Sequence, residues 1–212
     1  MNKAWGVIAA VICSSACVAA GNGHLHYLSM RHIPQPTVER FTHCFNYGCD
    51  QRVALALPPE TIEELTALFT PASTDRAQER ERIRRAIALF EQEVGPLAGT
   101  QHDIRGTFRL YQHDDVKGRQ HDCIDESTNT TIYITLLAQL GHLRYYRPGF
   151  PTSRQPFLGG APWWHQTAVI EDRTTGEKFA VDSWFKDNGY PPYIVPYTAW
   201  KDGWMPPAAG KV

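Results

Sequence analysis

The stretch from Gln120 to Gly141, QHDCIDESTNTTIYITLLAQLG, constrains the fold more than any other part of the 212-residue chain. Its middle, Thr130-Thr131-Ile132-Tyr133-Ile134-Thr135, is β-branched and has the local propensity of a strand. The longer window reads as a helix. Counted from Cys123, the residues Ser127, Thr130 or Thr131, Ile134, Leu137 and Leu140 fall three to four apart, and Gly141 stands where a helix-ending glycine belongs. Cys123 then opens the helix, where free N–H groups and the positive helix end favour a thiolate. Asp122, Asp125 and Glu126 crowd the same turn with like charge, so activation of the thiol calls for a partner base.

A base is available downstream. The segment WWHQTAVIEDRTTGEKFAVDSWF contains two strand-like runs, His165 to Glu171 and Glu177 to Phe185, around a turn rich in Asp, Thr and Gly. Symmetric pairing about Arg173-Thr174 sets His165 opposite Asp182. A cysteine at a helix entrance, a histidine on one strand and a carboxylate on the next are the parts of a nucleophile, base and orienter. In this reading the imidazole takes the thiol proton and the resulting ion pair offsets the acidic first turn.

Elsewhere the pattern is simpler. Residues 21–40, with His24, His26, His32 and two prolines, show no usable period and read as an arm; His24 and His26 are expected as surface histidines. Helices are expected from Pro59 to Phe69 and from Thr74 or Asp75 to Val94, the second stopped by Gly95-Pro96. The charge run from Arg76 to Arg85 reads as a solvated face. A strand is expected around Phe108-Arg109-Leu110-Tyr111, and Ser127 to Asn129 are expected as exposed capping residues. The proline-rich residues 186–207 read as a loop covering a sheet edge.

At the N-terminus, Lys3, the uncharged run Ala4 to Ala20 and the small residues Val18-Ala19-Ala20 have the layout of a secretory signal, so residues 1–20 are set apart as a targeting segment and the chain is expected to be exported, periplasmic or membrane-attached. Attachment through residues 4–20, or through lipid at Cys17, stays open. Of the three cysteines beyond this segment, Cys44 and Cys49 are disulfide candidates in an oxidising compartment, leaving Cys123 as the odd thiol. The chain as a whole is 42% hydrophobic, which suits one α+β domain, residues 41–212. The balance of 21 basic and 22 acidic residues, without a basic run interleaved with aromatics, argues against nucleic acid as a partner. No cofactor or metal site is expected, although a structural metal site built on Cys44, Cys49 and nearby histidines is a third reading of those residues.

The order and spacing resemble the transglutaminase-like branch of the papain-like cysteine enzymes, most closely the bacterial transglutaminase-like cysteine proteinases. The matching pieces are Asp122-Cys123 opening a helix that closes with Leu136-Leu137-Ala138-Gln139-Leu140-Gly141, His165 starting a strand, and Val181-Asp182-Ser183-Trp184 ending the next. The resemblance covers residues 75–190 and implies a nucleophile helix packed on an antiparallel sheet, with Cys123 as nucleophile, His165 as base and Asp182 as orienter. It implies a peptide or protein substrate and acyl transfer to water or to an amine. The polar run Asp125 to Asn129 departs from the family, which has a small apolar or aromatic residue soon after the cysteine. Gln120 is a candidate second oxyanion donor beside the Cys123 N–H, and Trp163, Trp164 and Trp184 are candidate walls of a substrate groove. A catalytically silent domain that binds peptide or a cell-envelope partner is the alternative function.

Overall fold

The computed structural model describes residues 22–109, 119–155 and 163–207, so residues 1–20 and Cys17 lie outside the described residues. The elements are α1 (Gly23–Met30), β1 (Phe41–Phe45), β2 (Gln51–Leu55), α2 (Pro59–Leu68), α3 (Arg76–Ala98), α4 (Cys123–Gln139), β3 (Tyr146–Pro148), β4 (Thr152–Arg154), β5 (His165–Asp172), β6 (Lys178–Asp182), β7 (Tyr193–Pro196) and α5 (Tyr197–Lys201). The architecture is α+β. An antiparallel sheet has the order β3-β5-β6-β7, with β4 also paired to β5, and β1 and β2 form a separate antiparallel hairpin. Among the described residues no helix is long and apolar enough to cross a membrane.

Helix α4 wins over its strand-like local composition for two reasons. A capping box fixes its start: the Asp122 carboxylate accepts from the Ile124 and Asp125 N–H groups, and the Asp125 carboxylate accepts from the Asp122 N–H. Tertiary packing supplies the rest, and three of its buried threonines satisfy their hydroxyls within the helix, Thr128 on the Ile124 carbonyl (2.6 Å), Thr131 on that of Ser127 (2.6 Å) and Thr135 on that of Thr131 (2.7 Å). The helix is buried from Asp125 to Leu137 and packs against β5, β1, β3 and α3. Ile132, Ile134, Leu136 and Leu137 join Ile83, Ile87 and Phe90 of α3 and Ala168, Ile170 and Val181 of the sheet in the main core. The Phe90 and Tyr133 rings stack at 4.7 Å.

Several expectations are corrected. Residues 22–40 are part of the domain: α1 inserts Tyr27 and Leu28 into the core, Ile33 follows them, and His24 is buried rather than on the surface. Helix α3 runs through Gly95-Pro96 to Ala98. Proline there removes one N–H in the last turn only, and the helix ends at Gly99 (φ 75°), with the Thr100 N–H returning to the Gly95 carbonyl. The charge run of α3 is not all solvated, because Glu79 is fully buried and accepts from the N–H groups of Arg144, Tyr145 and Tyr146 at the start of β3. Ser127, Thr128 and Asn129 are buried, not exposed caps. Phe108 forms a single β-bridge and Arg109 lies in a turn, so no strand is described there, and Leu110 and Tyr111 lie outside the described residues. In the tail, Tyr193 to Pro196 form β7, an edge strand, where proline is tolerated because one side of the strand needs no partner.

The register of the β5–β6 hairpin also differs. Ala168 faces Val181 and Glu171 faces Lys178, which centres the turn one residue later than symmetry about Arg173-Thr174 requires. The Asp172 side chain accepts from the Thr174 and Thr175 N–H groups and pulls the turn forward. Moving the centre by one residue shifts opposite partners by two, which preserves the faces. His165 and Asp182 therefore still share a face, as diagonal neighbours instead of direct ones.

Candidate active site

Cys123 is the first residue of α4, half-buried, and the free cysteine among the described residues. His165 opens β5 and Asp182 closes β6, both buried. His165 Nε2 lies 2.8 Å from Asp182 Oδ2. An ionised carboxylate can only accept, so Nε2 carries the proton and Nδ1 is the basic nitrogen. Nδ1 is buried and has no hydrogen-bond partner among the described residues. A buried ring nitrogen with a lone pair and no donor to satisfy it is a base held ready for a proton.

The same Asp182 oxygen accepts a second hydrogen bond, from Trp200 Nε1 at 2.7 Å. Trp200 is fully buried, and the Arg154 guanidinium covers its ring at 4.6 Å. The imidazole is walled by Trp184, Phe185 and Trp200 at ring separations of 4.8, 5.3 and 5.6 Å. This aromatic surround lowers the local dielectric and strengthens the imidazole–carboxylate interaction.

The arrangement around the thiol differs from the expected thiolate–imidazolium pair with His165. Burial first, and then the charges of Asp122, Asp182 and Asp125, push Cys123 up to about 12, while the Gln166 backbone N–H opposes the shift. Gln166, next to His165 on β5, bonds Ser127 one turn after Cys123, yet His165 Nε2 is taken by Asp182 and Nδ1 is unpartnered, so among the described residues no hydrogen bond joins sulfur to imidazole. In this arrangement the thiol is protonated at neutral pH. Attack on an acyl carbon then requires proton transfer to His165 in the same step.

The entrance of α4 is built from distant segments. Cys44 and Cys49 form a disulfide, which removes them as metal ligands. Within the loop they close, Asn46, Tyr47, Gly48 and Cys49 all have positive φ, 63° to 80°. That winding aims the Tyr47 and Cys49 N–H groups at the Asp125 carboxylate, at 2.7 and 2.6 Å. Burial and the neighbouring Asp122 nonetheless raise Asp125 to about 7. Asn129 completes the dock, accepting from the Cys44 N–H (2.8 Å) and donating to the Cys44 carbonyl (2.9 Å). The Gln166 amide donates to Ser127 Oγ and Tyr27 Oη, which ties β5 to α4 and α1.

Of the other expected site residues, Gln120 has both ends of its amide on the 102–104 turn, accepting from the Ile104 N–H and donating to the His102 carbonyl. Trp163 and Trp184 line a pocket of about 560 Å³ together with Arg105, Phe185, Lys186 and Tyr193. Trp164 is exposed and does not line it. Trp200, Gln166 and the positive-φ loop carry no local signature in the sequence; only the surplus of aromatics in the tail marks Trp200. Comparison of the chain with protein-family models, with curated proteins and with solved structures finds no match in any of the three.

Proposed function

We propose that the protein is an exported, cysteine-dependent acyl-transfer enzyme of transglutaminase-like, papain-like architecture, acting on peptide-like amides. The observation that carries this reading is the buried His165–Asp182 pair whose second nitrogen, Nδ1, has no hydrogen-bond partner among the described residues, on the strand that packs against the helix opened by Cys123. Cys123 attacks the acyl carbon as His165 Nδ1 takes its proton; Asp182 holds the tautomer and stabilises the imidazolium; the amine leaves with the proton returned from His165. The negative oxygen of the tetrahedral intermediate meets the Cys123 N–H at the start of α4, while the Gln120 amide is engaged on the 102–104 turn. The pocket walled by Trp163 and Trp184 receives the chain flanking the scissile amide. The Cys44–Cys49 disulfide supports an oxidising compartment, in keeping with an exported chain.

A second reading, a catalytically silent domain of the same architecture that binds peptide, is favoured by one observation: among the described residues no hydrogen bond joins the sulfur to the imidazole. Incubation with p-nitrophenyl acetate, followed by mass spectrometry of the intact protein and its peptides, separates the two. The enzyme acquires one acetyl group on Cys123, loses it with time to water or faster to an added primary amine, and acquires none there as Cys123→Ala or His165→Ala. Equal acetylation of Cys123 with and without His165 sinks the enzyme reading.

A further inference from the structure

Behind the entrance of α4 lies a second polar cluster that the triad does not use. His121, two residues before Cys123, is buried, and its Nδ1 sits 3.3 Å from Asp103 Oδ2 and 3.3 Å from Glu126 Oε1. The geometry makes no hydrogen bond to either, so Nδ1 is a buried ring nitrogen aimed between two buried carboxylates without a bonded partner. One ligand atom from each of the three residues lies within 4.8 Å of the other two.

Each of the three side chains uses its other polar atom to hold itself in place. Asp103 Oδ1 accepts from the His121 N–H at 2.7 Å. Glu126 Oε2 accepts from Ser183 Oγ at 2.6 Å, and Ser183 Oγ is 3.0 Å from Thr130 Oγ1. His121 Nε2 is 3.2 Å from His43 Nε2, and His43 Nδ1 is 3.0 Å from the Tyr133 hydroxyl. Of the two sets of tautomers that satisfy this chain, the one compatible with a metal has His121 Nε2–H donating to His43 Nε2 and His43 Nδ1–H donating to Tyr133. It leaves His121 Nδ1 with its lone pair pointing inward. Ligand atoms facing in, with every remaining atom held by an outer hydrogen bond, is how proteins build metal sites.

We propose that Asp103, His121 and Glu126 bind a divalent transition-metal ion through Oδ2, Nδ1 and Oε1. Tetrahedral donors at ~2.0–2.1 Å from zinc stand about 3.3–3.4 Å from each other, which the two N···O separations match. Charge favours a dication as well: two buried carboxylates face one imidazole, and a single proton on Nδ1 neutralises one of them whereas a dication neutralises both. The mixed imidazole and carboxylate donors suit zinc among first-row metals, and a water completes the set of four. The ion joins the 103 turn, the residues before α4 and the first turn of α4. The proposal is independent of the acyl-transfer reading, and its test has no catalytic readout.

The test uses the full chain, purified without chelator, stripped, and dialysed against zinc alone. Wild type is expected to retain about one zinc per chain by elemental analysis, to show the absorption of tetrahedral cobalt when cobalt replaces zinc, and to melt at a higher temperature with zinc than without. Asp103→Asn and Glu126→Gln keep the outer hydrogen bonds to the His121 N–H and Ser183 in reach, so these variants fold; each is expected to lose at least ten-fold in zinc affinity and most of the melting shift. Zinc well below one per chain in wild type, or retention undiminished in both variants, overturns the site and leaves an imidazolium held between two carboxylates.

Discussion

The two halves of α4 are equally hidden from solvent and chemically opposite. From Ile132 to Leu137 the helix presents Ile132, Ile134, Leu136 and Leu137 to a shared apolar core, a packing that any residue of similar volume and hydrophobicity would maintain. From Asp125 to Thr130 it presents carboxylates, hydroxyls and an amide, and each is answered by a partner far away in sequence: Asp125 by the disulfide loop, Glu126 by Ser183, Ser127 by Gln166, Thr128 by Tyr27, Asn129 by both backbone groups of Cys44, and Thr130 by Ser183. Burying these groups yields little net stability, since each bond replaces one to water. What the polar half supplies is position. It fixes the end of the helix where Cys123 sits, while the apolar half supplies the energy that holds the helix down.

The largest effect on stability is expected in the apolar half. Leu137→Ala removes a fully buried side chain from the core and is expected to lower the unfolding free energy by about 2–5 kcal/mol in urea titrations, with Cys123 acetylation in the folded fraction unchanged. A loss of acetylation as large as that of a polar-half variant would erase the distinction between the halves.

Asn129→Ala is expected to be smaller in stability and larger in function. It leaves the Cys44 N–H and carbonyl buried without their partner, at a cost of about 1–3 kcal/mol, and frees β1 from the helix entrance, so acetylation of Cys123 falls by more than the unfolded fraction explains. Replacing both Cys44 and Cys49 by serine opens a short loop, worth about 2 kcal/mol or less in chain entropy. Its effect is expected mainly at the site, because the Tyr47 and Cys49 N–H groups no longer converge on Asp125. Stability reduced with acetylation intact would show that the loop is a staple only.

A separate effect is expected on pH dependence. His24 lies on α1, the helix whose Tyr27 bonds Thr128 in the polar half, and burial lowers its pKa from 6.5 to about 4. Between those values the unfolded chain binds a proton that the native state does not, so the stability His24 contributes is present above pH 6.5 and is lost as pH falls toward 4. His24→Gln is expected to flatten the urea midpoint across that window relative to wild type.

The apolar half, the helix bounds and the face shared by His165 and Asp182 were legible because they rest on period: three to four residues in a helix, two in a strand. The exact diagonal of the His165–Asp182 contact was not, because it depends on two backbone bonds to Asp172 in the turn. The polar half was misread as exposed for the same reason that Asp103, His121 and Glu126 passed unnoticed as a group: their partners lie at large sequence separations, and a polar residue announces nothing about its burial until its partner is known. Residues Gly23–Met30 failed as a helix from sequence because too few of them are apolar to mark a face; Tyr27 and Leu28 are held by packing rather than by amphipathic period. The need for a partner base was legible from Asp122, Asp125 and Glu126 beside the thiol; its burial, the larger cause of the raised pKa, was not, because it depends on segments distant in sequence.

The central claim is that Cys123, His165 and Asp182 act as one unit, and a double-mutant cycle on the rate of Cys123 acetylation tests it most directly. His165→Ala is expected to slow acetylation by about 10²–10⁴-fold, the usual contribution of a positioned general base. Asp182→Asn is expected to slow it through the wrong tautomer, and the double variant is expected to be no slower than His165→Ala, because a carboxylate that works through an imidazole has nothing left to orient. A rate that ignores His165→Ala, or a double variant slowed by the product of the two single effects, would contradict the account.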